Sequence, residues 1–495
     1  MLFNSFKFWI VFALVFAAYW IIPARAHWLR KLYLVVVSYA LYMNWQPSFA
    51  LVLFFVTLVT YVGARVIGAI DTRMAADKSG EGNSESLLLT RKRKWAGWVF
   101  ALLSLMPLLI FKYYNFINGI VFAFLSRLGV HYDIPGLNWA IPVGISFFTF
   151  QALGYFFDVY RKREEPEKSF VDYLLFCSFF PQTASGPISK ASELLPQIKS
   201  EKKFVFANGV QGLKWILWGI FLKCVFADSF GLYVDTVMNN YQFFSGYNCA
   251  LAAILFTLQI YGDFAGYSFM AIGIAETLGF HLVNNFRRPY FAESITEFWR
   301  RWHISLTRWL TQHVYIPLGG SRCSKPRQYA NIMATFLVSG LWHGANYTFL
   351  VWGGLHGIAQ IGEKAAGLDP KGRHAKKKWL LRAKPLRIII TFAVVTLAWI
   401  FFRMPTLTQA WEFIVRIFTD HTLQPLMYKA TNTDKLITFL AILIVFVAEL
   451  RAEYLKEKTK WLESSWARWL IYISLFAMIL SLGVLDAGSF IYVNF

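Results

Sequence analysis

The sequence predicts an all-α fold, that of a polytopic integral membrane protein. Hydrophobic residues make up 57% of the 495-residue chain and charged residues only 16%, and the mean hydropathy is +0.45. Soluble domains contain roughly 25% charged residues, so most of this chain is expected to lie in lipid. Apolar runs recur from end to end, which predicts about ten to twelve transmembrane helices, with re-entrant or interfacial helices around a central cavity.

The same runs predict one membrane domain over residues 1–495. We expect N-terminal spans in residues 1–140, a core with the polar motifs in 141–362, and C-terminal spans in 388–495. The polar stretch from Asp71 to Lys94 is expected to be a loop. The segment 170–180 is too short to span a bilayer and is expected to be re-entrant or interfacial. The remaining apolar runs, expected as spans, are 8–22, 32–45, 49–70, 95–124, 141–160, 210–230, 251–280, 388–402, 436–448 and 469–485.

The net charge of +21 is distributed in a way that indicates membrane orientation rather than nucleic-acid binding. Lys and Arg residues cluster in short segments between apolar runs, for example at 91–94, 161–163 and 376–378. The positive-inside rule predicts this pattern and places these loops in the cytoplasm, near lipid headgroups. Ala24-Arg25-Ala26 resembles a signal-peptide cleavage site, but only Lys7 precedes the first apolar run, so we expect a retained first span.

His303 is predicted to lie on an amphipathic helix. Apolar residues recur at three- and four-residue steps after Ser294, and Ser294 with Glu297 is typical of a capping box. Pro317 and the two glycines after Leu318 predict where the helix stops. His303 falls on the apolar face, so we expect this helix to lie at a membrane boundary.

His343 is predicted to lie at a break between two helices inside the membrane. The apolar runs 332–342 and 349–361 are interrupted at 343–346, and the nearest charged residues are Arg327 and Glu363. Broken helices occur where the backbone lines a cavity, and an ionisable residue at such depth indicates a functional site. The plain alternative is a buried histidine that is hydrogen-bonded to a backbone carbonyl.

These two segments resemble the histidine motifs of the membrane-bound O-acyltransferase (MBOAT) family. They read FWRRWHISLTRWLTQHVYIPLGGSR at 298–322 and GLWHGANYTFLVWGGLHG at 340–357. Further blocks at 144–161, 180–188 and 261–290 are similar to blocks of bacterial members. VYIPLGGSR is most similar to the branch that O-acetylates alginate, although Met270 stands where that branch is expected to have an acidic residue.

The resemblance implies a multi-pass protein of the bacterial cytoplasmic membrane with His343 as the catalytic residue and His303 in support. It also implies that acetyl-CoA in the cytoplasm is the acyl donor and that a polysaccharide outside the membrane is the acceptor. A separate extracytoplasmic acetyltransferase is an expected partner. Nucleic acid is not an expected partner.

Acyl transfer from a thioester to a hydroxyl needs a base and donors that steady the oxyanion. The unperturbed pKa of histidine, about 6.5, suits His343 to the base role through either ring nitrogen. His303, Asn346 or the backbone N–H groups beside Gly344 are candidates to polarise the carbonyl.

Four further residues are weaker candidates for donor binding. Gln151 and Asp158 lie on a predicted span, where they either line the cavity or hydrogen-bond one helix to another. Arg300 and Arg301 either contact donor phosphates or only reflect the positive-inside bias. No spacing of histidines and carboxylates predicts a metal site.

Three alternatives stay open at this stage. The related branch that transfers D-alanine to teichoic acid shares the WHG motif. A transporter of polysaccharide or lipid precursors would use the histidines in a proton relay and would need no acyl donor. The protein could also pass acetyl groups to a partner transferase rather than to the polymer.

Overall fold

The computed structural model describes residues 3, 5–76, 84–368, 383–427, 430–455 and 457–484. Within this part of the chain all regular structure is helical and no strand occurs, so the all-α prediction is confirmed. The basic segment predicted at 376–378 lies outside the described residues. The chain divides into two compact units, and the single domain stays a prediction. Unit 1 contains Lys7–Gln211 and Ile274–Val283, and unit 2 contains Gly212–Gly273 and Asn284–Phe495.

The helices of unit 1 begin with a bent pair, whose axes differ by 107°. Longer helices follow, and then short ones that include the predicted interfacial segment. The helices are α1 (Phe6–Ile21), α2 (His27–Met43), α3 (Pro47–Ala76), α4 (Ser84–Leu108), α5 (Tyr114–Arg127), α6 (Ile145–Tyr160), α7 (Phe170–Ser178), α8 (Phe180–Thr183) and α9 (Ala191–Lys199).

The loop predicted from Asp71 to Lys94 is wrong at both ends. Helix α3 continues through Ala76 and α4 begins at Ser84. Arg93 Nε donates to Asp71 Oδ1 over 2.8 Å, so the polar residues of the stretch pair across two helices instead of ending them. The stretch ends in LLLTRKRK, whose Leu, Arg and Lys residues are good helix formers, and the charged side chains suit an exposed helix end.

Unit 2 contains the helices that carry both histidine motifs. Helices α10 and α12 contribute residues to both units. The helices are α10 (Phe206–Ile220), α11 (Gly231–Asn239), α12 (Gly246–Thr277), α13 (Ile295–Arg301), α14 (Ile304–Leu310), α15 (Lys325–His343), α16 (Tyr347–Ala365), α17 (Lys384–Arg403), α18 (Leu407–Thr419), α19 (Asn432–Leu450) and α20 (Ser465–Leu482).

A buried ion pair joins α12 to the π-helical stretch that continues α10. Lys223 lies in that stretch, Phe221–Ala227, and its Nζ is 2.6 Å from Asp263 and 2.9 Å from Asp228. Close helix contact allows this pair to form, since a Cβ at Gly266 would lie 2.7 Å from the carbonyl oxygen of Gly219. Small residues let helix backbones approach in this way.

Six helical segments in the described ranges are long and apolar enough to cross a membrane, or seven if the bent pair is one span. The segments are 47–76, 86–127, 206–239, 246–277, 384–403 and 465–482. The chain is therefore a multi-pass membrane protein. The count of about ten to twelve spans, which includes shorter helices, stays a prediction.

Candidate active site

A break between α13 and α14 places His303, so the single helix predicted over this stretch is wrong. His303 has φ 42° and ψ 54°, a left-handed conformation that stops α13 and starts α14. The predicted start of the first helix is confirmed, because Ser294 Oγ accepts from the N–H of Glu297 over 3.0 Å. The apolar periodicity continues through the break, which is why the sequence did not reveal it.

The break predicted at His343 is confirmed. His343 is the last residue of α15, and α16 begins at Tyr347. The Nδ1 atom of His343 lies 2.7 Å from the carbonyl oxygen of Ser339, one turn earlier. A carbonyl oxygen can only accept, so Nδ1 carries the proton of the neutral ring and Nε2 has the lone pair.

The structure brings the two histidine rings together although 40 residues separate them. Their centroids are 6.5 Å apart. Both rings are buried, with 0% of His303 and 2% of His343 exposed. Trp342 contacts both, at 5.6 Å from His303 and 4.8 Å from His343, and Phe264 packs on His303 at 4.7 Å. The pair thus lies in an apolar, water-poor environment.

An aromatic wall behind His343 was not predicted from the sequence. Trp352 of α16 lies 4.7 Å from His343, and Phe402 of α17 lies 5.6 Å from it. Trp352 also contacts His356 at 5.1 Å. On one continuous helix His343 and His356 would not share a face, but the break lets α15 and α16 pack against each other.

The tautomer of His356 follows from its hydrogen bond. Trp299 Nε1–H donates to His356 Nδ1 over 3.3 Å. Indole N–H can only donate, so the proton of the neutral His356 ring is on Nε2. The ring is 1% exposed and lies nearly parallel to Phe298 at 6.1 Å. This histidine therefore orients Trp299.

A cavity of about 260 Å³ is lined by residues of the first histidine motif and of helices α15 and α16, although neither His303 nor His343 lines it. Ser339 connects the cavity to the histidine pair, since it lines the cavity and its carbonyl oxygen contacts His343. The hydroxyl of Ser339 is buried and has no hydrogen-bond partner among the described residues. The lining combines apolar and hydroxyl side chains with two basic ones: Thr296, Trp299, Arg300, Thr307, Leu310, Thr311, Tyr315, Ile332, Thr335, Phe336, Ser339, Gln360 and Lys364.

The other predicted donor-binding residues have different surroundings. Arg300 lines the cavity, but Arg301 forms ion pairs with Glu297 and Glu453, each at 3.0 Å. Asn346 caps α16, because its Oδ1 accepts from the N–H of Thr348 over 3.2 Å. Its Nδ2 donates to the carbonyl oxygen of Pro405 over 2.9 Å.

Gln151 and Asp158 belong to unit 1, whereas both histidines belong to unit 2. Gln151 Nε2 donates to the carbonyl oxygen of Phe176 over 2.6 Å. Asp158 Oδ1 lies 3.5 Å from Arg163 Nη1. The first contact joins α6 to α7 and is of the kind that holds helices together, whereas the second is local to the end of α6. Across the described ranges, no group of three or more His, Cys, Asp or Glu side chains could hold a metal ion.

Comparison with known proteins finds one matching family profile and several relatives that cover most of the chain. The profile of the membrane-bound O-acyltransferase family matches residues 161–408, a range that includes both histidine motifs. The chain is 33% identical to a probable alginate O-acetylase, AlgI, of Pseudomonas aeruginosa, over 86% of this chain and 76% of that protein. It is 31% identical to a peptidoglycan O-acetyltransferase of Helicobacter pylori, over 100% and 98% of the two chains. It is 27% identical to a teichoic acid D-alanyltransferase of Streptococcus thermophilus, over 63% and 76%.

Proposed function

The chain belongs to the membrane-bound O-acyltransferase family, and we propose that it moves acetyl groups from cytoplasmic acetyl-CoA to a polysaccharide outside the cytoplasmic membrane. The observation that carries the proposal is the buried pair of His303 and His343, of which His343 hydrogen-bonds to Ser339, a residue that lines a cavity with basic side chains. Relatives named for O-acetylation, at 31–33% identity, support acetyl as the acyl group and a glycan as the acceptor. The D-alanyltransferase relative is less similar, at 27% identity.

His343 acts as the general base through Nε2. The hydrogen bond from Nδ1 to the carbonyl oxygen of Ser339 holds the ring in the tautomer that has its lone pair on Nε2. Nε2 takes the proton of the acceptor hydroxyl while the hydroxyl oxygen attacks the thioester carbon. The C–S bond then breaks, and the leaving thiolate takes the proton back from the His343 imidazolium, which leaves the ester and free coenzyme A.

Desolvation of the site makes its polar groups effective. The buried ring of His303, whose centroid is 6.5 Å from that of His343, polarises the thioester carbonyl. The buried hydroxyl of Ser339 is a second donor toward a ligand in the cavity. Donors that are already oriented in a dry site stabilise an oxyanion more than the same donors do in water.

The cavity accounts for donor recognition. Its apolar wall, with Trp299 and Phe336, suits the acetyl-pantetheine arm, and Arg300 and Lys364 suit the phosphates of coenzyme A. The acceptor is either the polymer itself or a hydroxyl of an extracytoplasmic partner transferase that acetylates the polymer in a second step.

The test is acetyl transfer by the purified, detergent-solubilised protein with radiolabelled acetyl-CoA. We expect His343→Ala to abolish cleavage of the thioester and His303→Ala to reduce it by about 100-fold, while both variants keep the native elution profile. The matched control is His281→Ala, because the His281 side chain is exposed and pairs with Glu276. D-alanyl thioester serves as a competing donor.

Activity in His343→Ala equal to the native rate would overturn the mechanism. A preference for the D-alanyl donor would assign the protein to the other branch. Absence of cleavage by the native protein, with the purified partner transferase and polysaccharide added, would favour the transporter instead.

A further inference from the structure

The residue at the start of a helix normally caps it, and His303 does not. The first N–H groups of a helix have no partner within the helix, so the side chain of the preceding residue often accepts from one of them. His303 is in that position before α14, but its side chain makes no capping hydrogen bond. Its backbone φ of 42° is also one that residues other than glycine rarely adopt. Another part of the chain must therefore stabilise the break.

Asn285 caps α14 in place of His303. Its carbonyl oxygen accepts from the N–H of Ile304 over 3.0 Å, and its Oδ1 accepts from the N–H of Ser305 over 3.1 Å. These are the first two N–H groups of α14. Asn285 is 0% exposed, so water does not compete for either bond.

The residues that follow Asn285 hold the other side of the break. The N–H of Arg287 donates to the carbonyl oxygen of Arg301 over 2.9 Å. Between them, the Phe286 ring packs on Trp302 at 5.0 Å and on Phe264 at 5.0 Å. Phe264 is the ring that contacts His303. The segment 285–287 therefore bonds to residues on both sides of His303 and packs against its neighbours.

We infer that Asn285 is a positioning residue for acyl transfer, which holds the break so that the His303 ring faces His343 rather than its own helix. By accepting from the helix start, Asn285 fills the capping position that the residue before a helix usually occupies. A left-handed backbone at a residue other than glycine is strained and persists only where surrounding contacts hold it in place. The hydrogen bonds of residues 285–287 supply those contacts. The inference rests on the role proposed for His303.

The test separates positioning from general stability. We expect Asn285→Ala to lower kcat by about ten-fold, in the range known for displaced catalytic groups, with the KM for acetyl-CoA within about two-fold of native. Asn285→Asp keeps an oxygen acceptor at the same place and is expected to recover at least about half of the native kcat. Thermal unfolding of each variant is measured in the same detergent.

The control is Asn248→Ala. Asn248 is also 0% exposed, and its side chain has hydrogen bonds to Tyr233, Ser245 and Pro425 rather than to the residues around His303. We expect it to lower the unfolding temperature at least as much as Asn285→Ala while kcat stays near native. If Asn285→Ala does not fold, the Asn285→Asp variant tests the inference instead. An Asp variant that folds but is inactive contradicts the capping role of Asn285.

The inference is overturned by a native kcat in Asn285→Ala, or by an equal loss of kcat in Asn248→Ala. Its failure is distinguishable from failure of the proposed function. An active His343→Ala variant contradicts the proposed function, whereas an inactive His343→Ala beside a fully active Asn285→Ala contradicts only the role of Asn285.

Discussion

Replacement of Gly353 by alanine should displace His343, because helices α15 and α16 touch backbone to backbone. A Cβ at Gly353 would lie 2.3 Å from the carbonyl oxygen of Phe336 on α15. Gly340 on α15 makes the reciprocal contact, with a Cβ 2.3 Å from the carbonyl oxygen of Phe349. Both contacts are to backbone, so no side-chain rotation can relieve them. The adjacent Gly354 is different, since its nearest neighbour is the Leu337 side chain at 4.0 Å.

The magnitude follows from the overlap. Ordinary van der Waals contact begins at 3.4 Å, so Gly353→Ala requires α15 and α16 to separate by about 1 Å. Overpacking of this kind costs about 1–3 kcal/mol of folding stability. His343 is at the end of α15 and Trp352 on α16 contacts it, so the separation also moves the base. A misplacement of about 1 Å costs up to about 100-fold in rate, and we expect a loss of 10- to 100-fold.

The assay pairs thermal unfolding in detergent with acetyl transfer from radiolabelled acetyl-CoA, for Gly353→Ala and Gly354→Ala side by side. We expect Gly354→Ala to keep native activity and to unfold at the native temperature or slightly above, since alanine is favoured over glycine in helices by up to about 1 kcal/mol. Equal effects of the two substitutions would refute the reasoning, because helix propensity and composition change identically in both.

Two further predictions concern charged groups with ion-pair partners, one half-buried and one buried. Burial acts to raise the pKa of Glu453, but hydrogen bonds from Arg301 and Arg288 outweigh it and hold that pKa below its ordinary value. The stabilisation is therefore present at neutral pH and is lost as the pH falls below the ordinary pKa of glutamate, about 4.3. The unfolding temperatures of the native protein and Glu453→Gln should converge over that acid range, and a constant difference at every pH would contradict this. Lys223→Met leaves Asp263 buried without its cation, so we expect about 3–5 kcal/mol of destabilisation, measured by thermal unfolding. The double variant Lys223→Met/Asp263→Asn should recover part of that stability. A double variant that recovers none would exclude the ion pair as the cause.

The membrane class and the break at His343 could be predicted because both are local properties of the sequence. A run of apolar residues long enough to span lipid has few other uses, and Gly344 with Asn346 interrupts such a run where α15 in fact ends. The polar stretch at 71–94 shows the limit of local composition. Its residues suit a loop and an exposed helix end equally well, and the pairing of Asp71 with Arg93 across two helices determined the outcome.

The histidine pair likewise has one part that the local sequence predicts and one part that distant contacts determine. The motifs singled out His303 and His343, but the periodicity around His303 predicts one helix, because the apolar positions remain in phase through the break. The hydrogen bonds that Asn285, 18 residues before His303, accepts from Ile304 and Ser305 impose the break, and no local pattern reveals a partner at that distance.

By itself, the sequence determined that this is a multi-pass, all-α membrane protein of an acyltransferase family, with two histidines as candidates for the chemistry. Only the tertiary structure decided that the two rings meet, that Trp352 and Phe402 enclose one of them, and that Gln151 and Asp158 bond within a separate unit. The reason is physical. Helix periodicity and hydropathy depend on residues three or four apart, whereas a site in a helical membrane protein is made by contacts between helices that are distant in sequence.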